Sequence, residues 1–155
     1  MTEKEFTAAA ERHLDMVYRV ALNCLRNQAD AEDAVQTVLL RLRQSGQAFP
    51  DDDQLRYWLV RVTVNVCKDV LRSPWRRRMV ALDRCREPVF DTPEHQTLYA
   101  EVMALPAKYR LPLYLYYYEG YTAAEVGELL GLRPSTVQTR LARAREKLKA
   151  QLKEE

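Results

Sequence analysis

The chain has 155 residues, 47% of them hydrophobic, which suits one ordinary globular domain or two small ones and is too apolar for a disordered polymer. Its net charge of +2 conceals an alternation: residues 1–55 and 79–132 are acidic, whereas 56–78 hold seven basic residues against one acid and 133–155 hold seven against three, so two separate contacts with a polyanion are indicated. Three widely spaced cysteines without a C-x-x-C pair argue against a zinc site or a disulfide framework, and there is neither a signal peptide nor an apolar run long enough to span a bilayer.

Four glycines and no sustained β alternation predict an all-α protein. The first helix is expected from about Glu3 to Arg26, with Phe6, Ala10, Leu14, Val17, Ala21 and Cys24 at helical spacing. After a break at Asn27 to Ala29, Asp30 is the expected cap of a second helix, with Glu32 and Asp33 in its first turn, where negative charge suits the dipole. Ala34, Val35, Val38, Leu39 and Leu42 form its apolar stripe. Leu39 and Leu40 suit either the core or a partner helix, and packing is the commoner use of apolar residues at this spacing. Cys24 and Cys67 fall in helical patterns and read as buried thiols. His13 and His95 stand alone, and no chemistry is assigned to them.

Ser45 to Asp53 reads as a loop, and a third helix follows from about Gln54 to Arg72. Leu55, Trp58, Leu59, Val62, Val66 and Val70 mark its buried side. Arg61, Asn65, Lys68, Asp69 and Arg72 are left for other faces. Tyr57 lies off the apolar stripe beside this basic surface and is the better candidate for stacking on an unpaired base; the spacing of Trp58 favours the core. Residues 73–92 contain Pro74, Pro88 and the run Arg76-Arg77-Arg78 and lose periodicity, which marks a linker between domains at 1–72 and 93–155. Twenty extended residues reach at most ~65–70 Å, against ~34–36 Å for a turn of duplex.

Thr92-Pro93-Glu94 is expected to open the second domain as cap, first helical residue and dipole-matching acid. Leu98, Val102 and Leu105 make its first stripe. Pro106 starts another helix, with Leu113, Tyr116 and Tyr117 on the core side and Pro112 expected to kink it or shift its start. The tyrosines from Tyr114 to Tyr118 read as packing with polar tips. Next, Thr122 and Glu125 form a capping-box pattern, Val126, Leu129 and Leu130 an apolar face, and Gly131 a helix stop. Pro134 begins the final helix, whose apolar residues Val137, Leu141, Ala144 and Leu148 leave Ser135, Gln138, Thr139, Ala142 and Arg143 opposite.

Two short helices, a glycine turn and a basic second helix describe a helix-turn-helix DNA reader; the alternative for this stretch alone is an amphipathic hairpin with a solvated basic face. Short polar side chains near the helix start, including Ser135 and Thr136, reach base edges. Arg133, Arg140, Arg145 and Lys147 suit phosphates.

Asp30 to Leu42 (DAEDAVQTVLLRL), Tyr57 to Arg72 (YWLVRVTVNVCKDVLR) and Leu105 to Leu148 (LPAKYRLPLYLYYYEGYTAAEVGELLGLRPSTVQTRLARAREKL) together resemble, in this order, regions two and four of the bacterial RNA polymerase sigma factors of the extracytoplasmic-function class. The resemblance implies two helical domains on a flexible linker, and a protein that binds core RNA polymerase, directs it to promoter DNA and helps open the duplex. It places Asp33, Gln36, Leu39 and Leu40, with Arg43 beside them, on the helix that docks on a coiled coil of the largest polymerase subunit. Leu39 stands where the family often has phenylalanine, Arg43 where it has tryptophan, and Thr37 where an acid is common. Asn65 and Asp69, with Arg61 nearby, match the surface that reads the downstream promoter element as separated strand. Tyr57, Lys68, Arg72 and Arg76, Arg77 and Arg78 would help capture that strand. Gln138, Thr139, Ala142 and Arg143 match the residues that enter the major groove at the upstream element.

No catalytic residue, metal site or cofactor is expected, since there is no ligand cluster, P-loop or nucleophile motif. The expected location is the cytoplasm, and an anti-sigma protein is a further partner about which the sequence is silent. The competing reading is a stand-alone helix-turn-helix regulator binding duplex DNA as a dimer, with residues 1–72 as a dimerisation or sensor domain; the basic block at 56–78 argues against it.

Overall fold

Helices begin where a short polar side chain accepts one of the amide hydrogens that the first turn leaves unpaired. Thr2 and Glu5 form a reciprocal capping box for α1 (Glu3–Leu25). Asn27 accepts from the Asp30 amide to start α2 (Gln28–Ser45), and Asp51 accepts from the Gln54 amide to start α3 (Asp52–Arg72). Helix α2 therefore begins three residues, and α3 two residues, before the expected starts. Asp30 lies in a first turn rather than at its cap, and Asp52 and Asp53 belong to α3 rather than to the loop. The structure, a computed structural model, describes residues 1–73 and 93–153; seven helices and no strand lie among these described residues. The remaining four helices are α4 (Pro93–Ala104), α5 (Ala107–Tyr117), α6 (Ala123–Leu130) and α7 (Pro134–Lys153). The chain divides into two compact units, residues 1–87 with α1–α3 and residues 88–155 with α4–α7.

In the first unit each helix packs on the other two. The core is made by Val17, Val20, Ala21 and Leu25 of α1, Ala31, Val38 and Leu42 of α2, and Leu59, Val60, Val64 and Cys67 of α3. Burying one such aliphatic side chain contributes roughly 1.5–3 kcal/mol. The α1 stripe is displaced from its expected position at the N-terminal end: Ala9, His13 and Met16 are buried, Phe6 and Ala10 are half-buried, and Leu14 is 42% exposed. The cause is a wider contact, because α1 faces two helices at once. On α3, Trp58, Val62 and Val70 are only half-buried, and the Trp58 ring lies 5.5 Å from that of Phe49. Leu40 is 54% exposed and Leu39 half-buried, so these two are not core residues. Cys24 and Cys67 are buried free thiols; Cys85 and His95 lie outside the residues whose side chains are described.

His13 has a partner that periodicity does not reveal. Its Nε2 lies 2.9 Å from Asp52 Oδ1 at the start of α3, and Arg12 Nη2 reaches the same oxygen at 2.8 Å. The His13 hydrogen bond, followed by the charges of His13 and Arg12, holds the Asp52 carboxyl below its ordinary range.

In the second unit α7 touches α4, α5 and α6 and is its hub. Val137, Leu141 and Ala144 are fully buried, Leu148 half-buried, as their spacing predicts. Helix α5 runs through Pro112 without a shifted start. Its core side is Tyr109, Leu113 and Leu115; Tyr116 is half-buried and Tyr117 is 54% exposed, so these two are not core residues. In α4, Leu98 points to solvent while Met103 is buried, together with Leu105 just beyond the helix. Arg110, 2% exposed, donates from Nη1 to the carbonyls of Leu105 (2.8 Å) and Met103 (3.4 Å). A buried guanidinium thereby satisfies carbonyls that the end of α4 leaves open. Thr92 and the linker expectations at Pro74, Pro88 and Arg76 to Arg78 lie outside the described residues.

Candidate nucleic-acid interface

The reading helix is set by three local devices. Thr122 and Glu125 cap α6 reciprocally. Gly131 ends it at φ 71°, in the left-handed region that glycine enters without steric cost. Gly127 lets the turn close: a Cβ there would lie 2.5 Å from the Leu132 carbonyl oxygen, so no larger residue fits without moving backbone. The Leu132 amide donates to the Gly127 carbonyl at 2.8 Å, and α7 starts at Pro134. A turn this tight sets the angle at which α7 leaves α6, and burial of Val126, Leu129, Val137 and Leu141 holds it.

That packing leaves one side of α7 in solvent. Ser135, Gln138, Thr139, Ala142, Arg143, Arg145 and Lys147 are exposed, as is Arg133 before the helix; Thr136 and Arg140 are half-buried at its margins. The Thr139 hydroxyl is turned back onto the Ser135 carbonyl at 3.1 Å. Small side chains at 135 and 142 with an amide at 138 form the low relief that a major groove accepts. Several cations of α7 are held by tyrosines of α5. Arg145 donates to the Tyr117 hydroxyl, and its guanidinium carbon lies 5.9 Å from the Tyr117 ring centroid. Lys147 lies 5.5 Å and Lys108 5.0 Å from the centre of the Tyr109 ring. Arg143, then Lys108, holds the Tyr109 hydroxyl below the ordinary tyrosine range. Sequence spacing missed Tyr109 and Tyr117 because their partners on α7 lie some thirty residues away, and with Tyr109 it missed the neighbouring Lys108.

In the first unit Arg61, Asn65, Asp69 and Arg72 are all exposed along α3; at steps of four, four and three they form one line on its outer side. Lys68 and Tyr57 are half-buried flanks of that line. Arg76, Arg77 and Arg78 lie outside the described residues. On α2, Asp33, Gln36, Leu40 and Arg43 are exposed and Leu39 half-buried, again a single line, here with an apolar centre. Arg43 is drawn back toward α1, with Nη2 3.7 Å from Glu3 Oε1 and its guanidinium 5.7 Å from the Phe6 ring centroid.

Such a pair of helical units, one carrying a helix-turn-helix, defines a class that comparison with known proteins specifies. The family model of sigma-70 region 2 matches residues 9–77, and that of sigma-70 region 4 matches residues 95–148. ECF RNA polymerase sigma factor SigL of Mycobacterium tuberculosis is 32% identical over 95% of this chain and 88% of its own length. SigM of the same species is 30% identical over 92% of this chain and 74% of its own. SigE of Mycolicibacterium smegmatis is 34% identical over 89% of this chain, which spans 58% of that protein. The chain belongs to the extracytoplasmic-function sigma factors of bacterial RNA polymerase. Proteins of this family serve promoter-directed transcription initiation and are generally non-enzymatic. Two solved structures share the fold: the sigma factor RpoE in complex with the anti-sigma factor NepR from Bartonella quintana (TM-score 0.76, 23% identity, covering 97% of this chain and 98% of that one), and CnrH in complex with the cytosolic domain of CnrY (0.69, 24%, 99% and 91%). Among the described residues no helix is long and apolar enough to cross a membrane.

Proposed function

We propose that this chain binds core RNA polymerase in the cytoplasm, brings it to specific promoters and helps separate the strands, acting by binding and not as an enzyme. The observation that carries this reading is the exposed line on α7, held rigidly by a capped, glycine-closed turn, in a chain that also presents the α2 and α3 lines. Asp33, Gln36, Leu39, Leu40 and Arg43 dock on polymerase. Arg61, Asn65 and Asp69 read the downstream element as single strand, with Tyr57, Lys68, Arg72 and Arg76 to Arg78 holding the freed strand. Gln138, Thr139, Ala142 and Arg143, flanked by Arg133, Ser135, Thr136, Arg140, Arg145 and Lys147, engage the upstream element as duplex. The domains are 1–72 and 93–155 on a linker at 73–92.

The physics is an exchange. Extruding a base costs a few kcal/mol, and stacking on an aromatic side chain returns ~1–3 kcal/mol. The free chain therefore opens DNA poorly, and polymerase must hold the strands apart. Because both structural neighbours are complexes, one with an anti-sigma factor, a regulatory partner covering these surfaces is part of the proposal. The test is run-off transcription with core polymerase and genomic promoters, comparing wild type with Asp33→Arg. Wild type yields promoter-specific RNA, and the variant is captured weakly by core polymerase while keeping its helix content. Absence of any promoter-specific product with wild type overturns the proposal.

A further inference from the structure

The proposed function assigns no role to the surface of helix α5. Its exposed Lys108 lies 5.0 Å from the Tyr109 ring centre, and Lys147 approaches the same ring from α7 at 5.5 Å. Arg143 acts on the hydroxyl of that tyrosine, holding it below the ordinary tyrosine range. Three cations from two helices thus converge on one aromatic side chain. Like charges gathered this closely repel. The negative face of the ring and the hydroxyl oxygen offset part of that repulsion, since cations within about 6 Å of a ring centroid are attracted to it. Among the described residues none of the three forms an ion pair with a carboxylate. The patch is therefore a concentration of positive charge with an aromatic holder and without an internal counter-ion.

Its position identifies the partner. Arg143 and Lys147 are one helical turn apart on α7, on the flank of the line formed by Gln138, Thr139 and Ala142. A duplex whose major groove receives that line presents its backbone at the flank. Along one strand a charge follows every ~3.4 Å of helix axis, so a patch this dense engages more than one phosphate. We infer that Lys108, Arg143 and Lys147, gathered on Tyr109, clamp the phosphate backbone beside the groove contact, making α5 a DNA-contacting element. This inference rests on the helix-turn-helix reading proposed above. It moves Arg143 from base reading to backbone holding. It also gives Tyr109 a positioning role: the ring keeps three long side chains at the edge of the groove before DNA arrives, which reduces the ordering entropy lost on binding.

The test uses the full chain with core polymerase and duplexes enriched by that complex from a randomised pool. Affinity for several enriched duplexes is measured as a function of salt for wild type, Lys108→Gln, Lys108→Arg and, as an exposed control in the other unit, Lys4→Gln. Lys108→Gln is expected to weaken every duplex by the same factor, roughly three- to tenfold, and to reduce the slope of log affinity against log salt by about 0.9. Lys108→Arg restores both, and Lys4→Gln changes neither. If Lys108→Gln matches wild type, matches Lys4→Gln, or changes which duplexes are preferred, the clamp is wrong and the helix-turn-helix reading stands. If the wild-type complex enriches no duplex at all, both fall.

Discussion

At the residue scale, several positions outweigh their neighbours because backbone geometry or burial leaves no alternative. Gly127→Ala would place a methyl carbon 2.5 Å from a backbone oxygen. The turn must open, at a cost of about 2–3 kcal/mol by analogy with overpacking, and chemical denaturation should register that loss together with weakened duplex binding. Arg26, at φ 55°, caps α1 in the left-handed region that disfavours a side chain by roughly 1–2 kcal/mol. Arg26→Gly should therefore raise the stability of the first unit by about 1 kcal/mol, read as a higher denaturation midpoint; no gain would mean that the arginine side chain offsets the strain. Asp52 gives a pH dependence. Its folded carboxyl titrates below the ordinary value of 3.8, so its contribution is present above that value and is lost as pH falls through the folded one. Stability of Asp52→Asn measured against pH should lie below wild type near neutrality and converge with it in strong acid. A constant difference would show that the bonds from His13 and Arg12 do not depend on charge. The glycine stop at Gly131 and the Thr122 cap are legible in the sequence because each acts on residues within one turn. His13, Asp52 and Arg110 are not, since their partners are chosen by packing.

At the element scale, spacing gives the buried face of a helix where that face is one narrow seam, and blurs it where the buried arc is wide. Helix α7 kept its predicted seam at Val137, Leu141 and Ala144, although it packs on α4, α5 and α6. Helix α1 shifted its stripe because α2 and α3 claim adjacent arcs of it. On α2 the apolar pattern was wider than one contact needs, and the surplus, Leu40 and part of Leu39, faces outward beside Asp33 and Gln36. An exposed leucine in a row of polar residues is more useful to a partner than to the fold. Leu40→Asp should leave the unfolding midpoint within about 0.5 kcal/mol of wild type, yet reduce capture by core polymerase several-fold in a pull-down. A large loss of stability would return Leu40 to the core. The tyrosines of α5 show the same ambiguity: their spacing suits packing, but Tyr117 faces solvent and holds Arg145, and Tyr109 turns its hydroxyl to Arg143 and Lys108.

For the whole molecule, the alternation of charge along the chain becomes two positively charged helical surfaces on two units, one along α3 and one along α7. Each supplies several cations to a backbone whose counter-ions are released on binding. If 6–10 phosphates are engaged, affinity of the polymerase complex for its promoter should fall by about 10³-fold or more between 50 and 200 mM salt, measured by filter binding. A shallow dependence would mean that base contacts or polymerase dominate. The all-helical class, the helix-turn-helix and the family were already present in the order of motifs. The outward lines on α2 and α3 follow from those helices once their buried sides are known.

Capping boxes, glycine stops, helical class and charge blocks depend on residues a few positions apart, and short-range sterics and hydrogen bonding act the same way in any context; these the sequence by itself determined. Which face of α1 is buried, that Asp52 meets His13, that Arg110 closes the end of α4, and that four side chains from α5 and α7 meet at Tyr109 were decided only by the tertiary structure. Each of those contacts joins residues on different helices, and their proximity exists only after the apolar seams have packed.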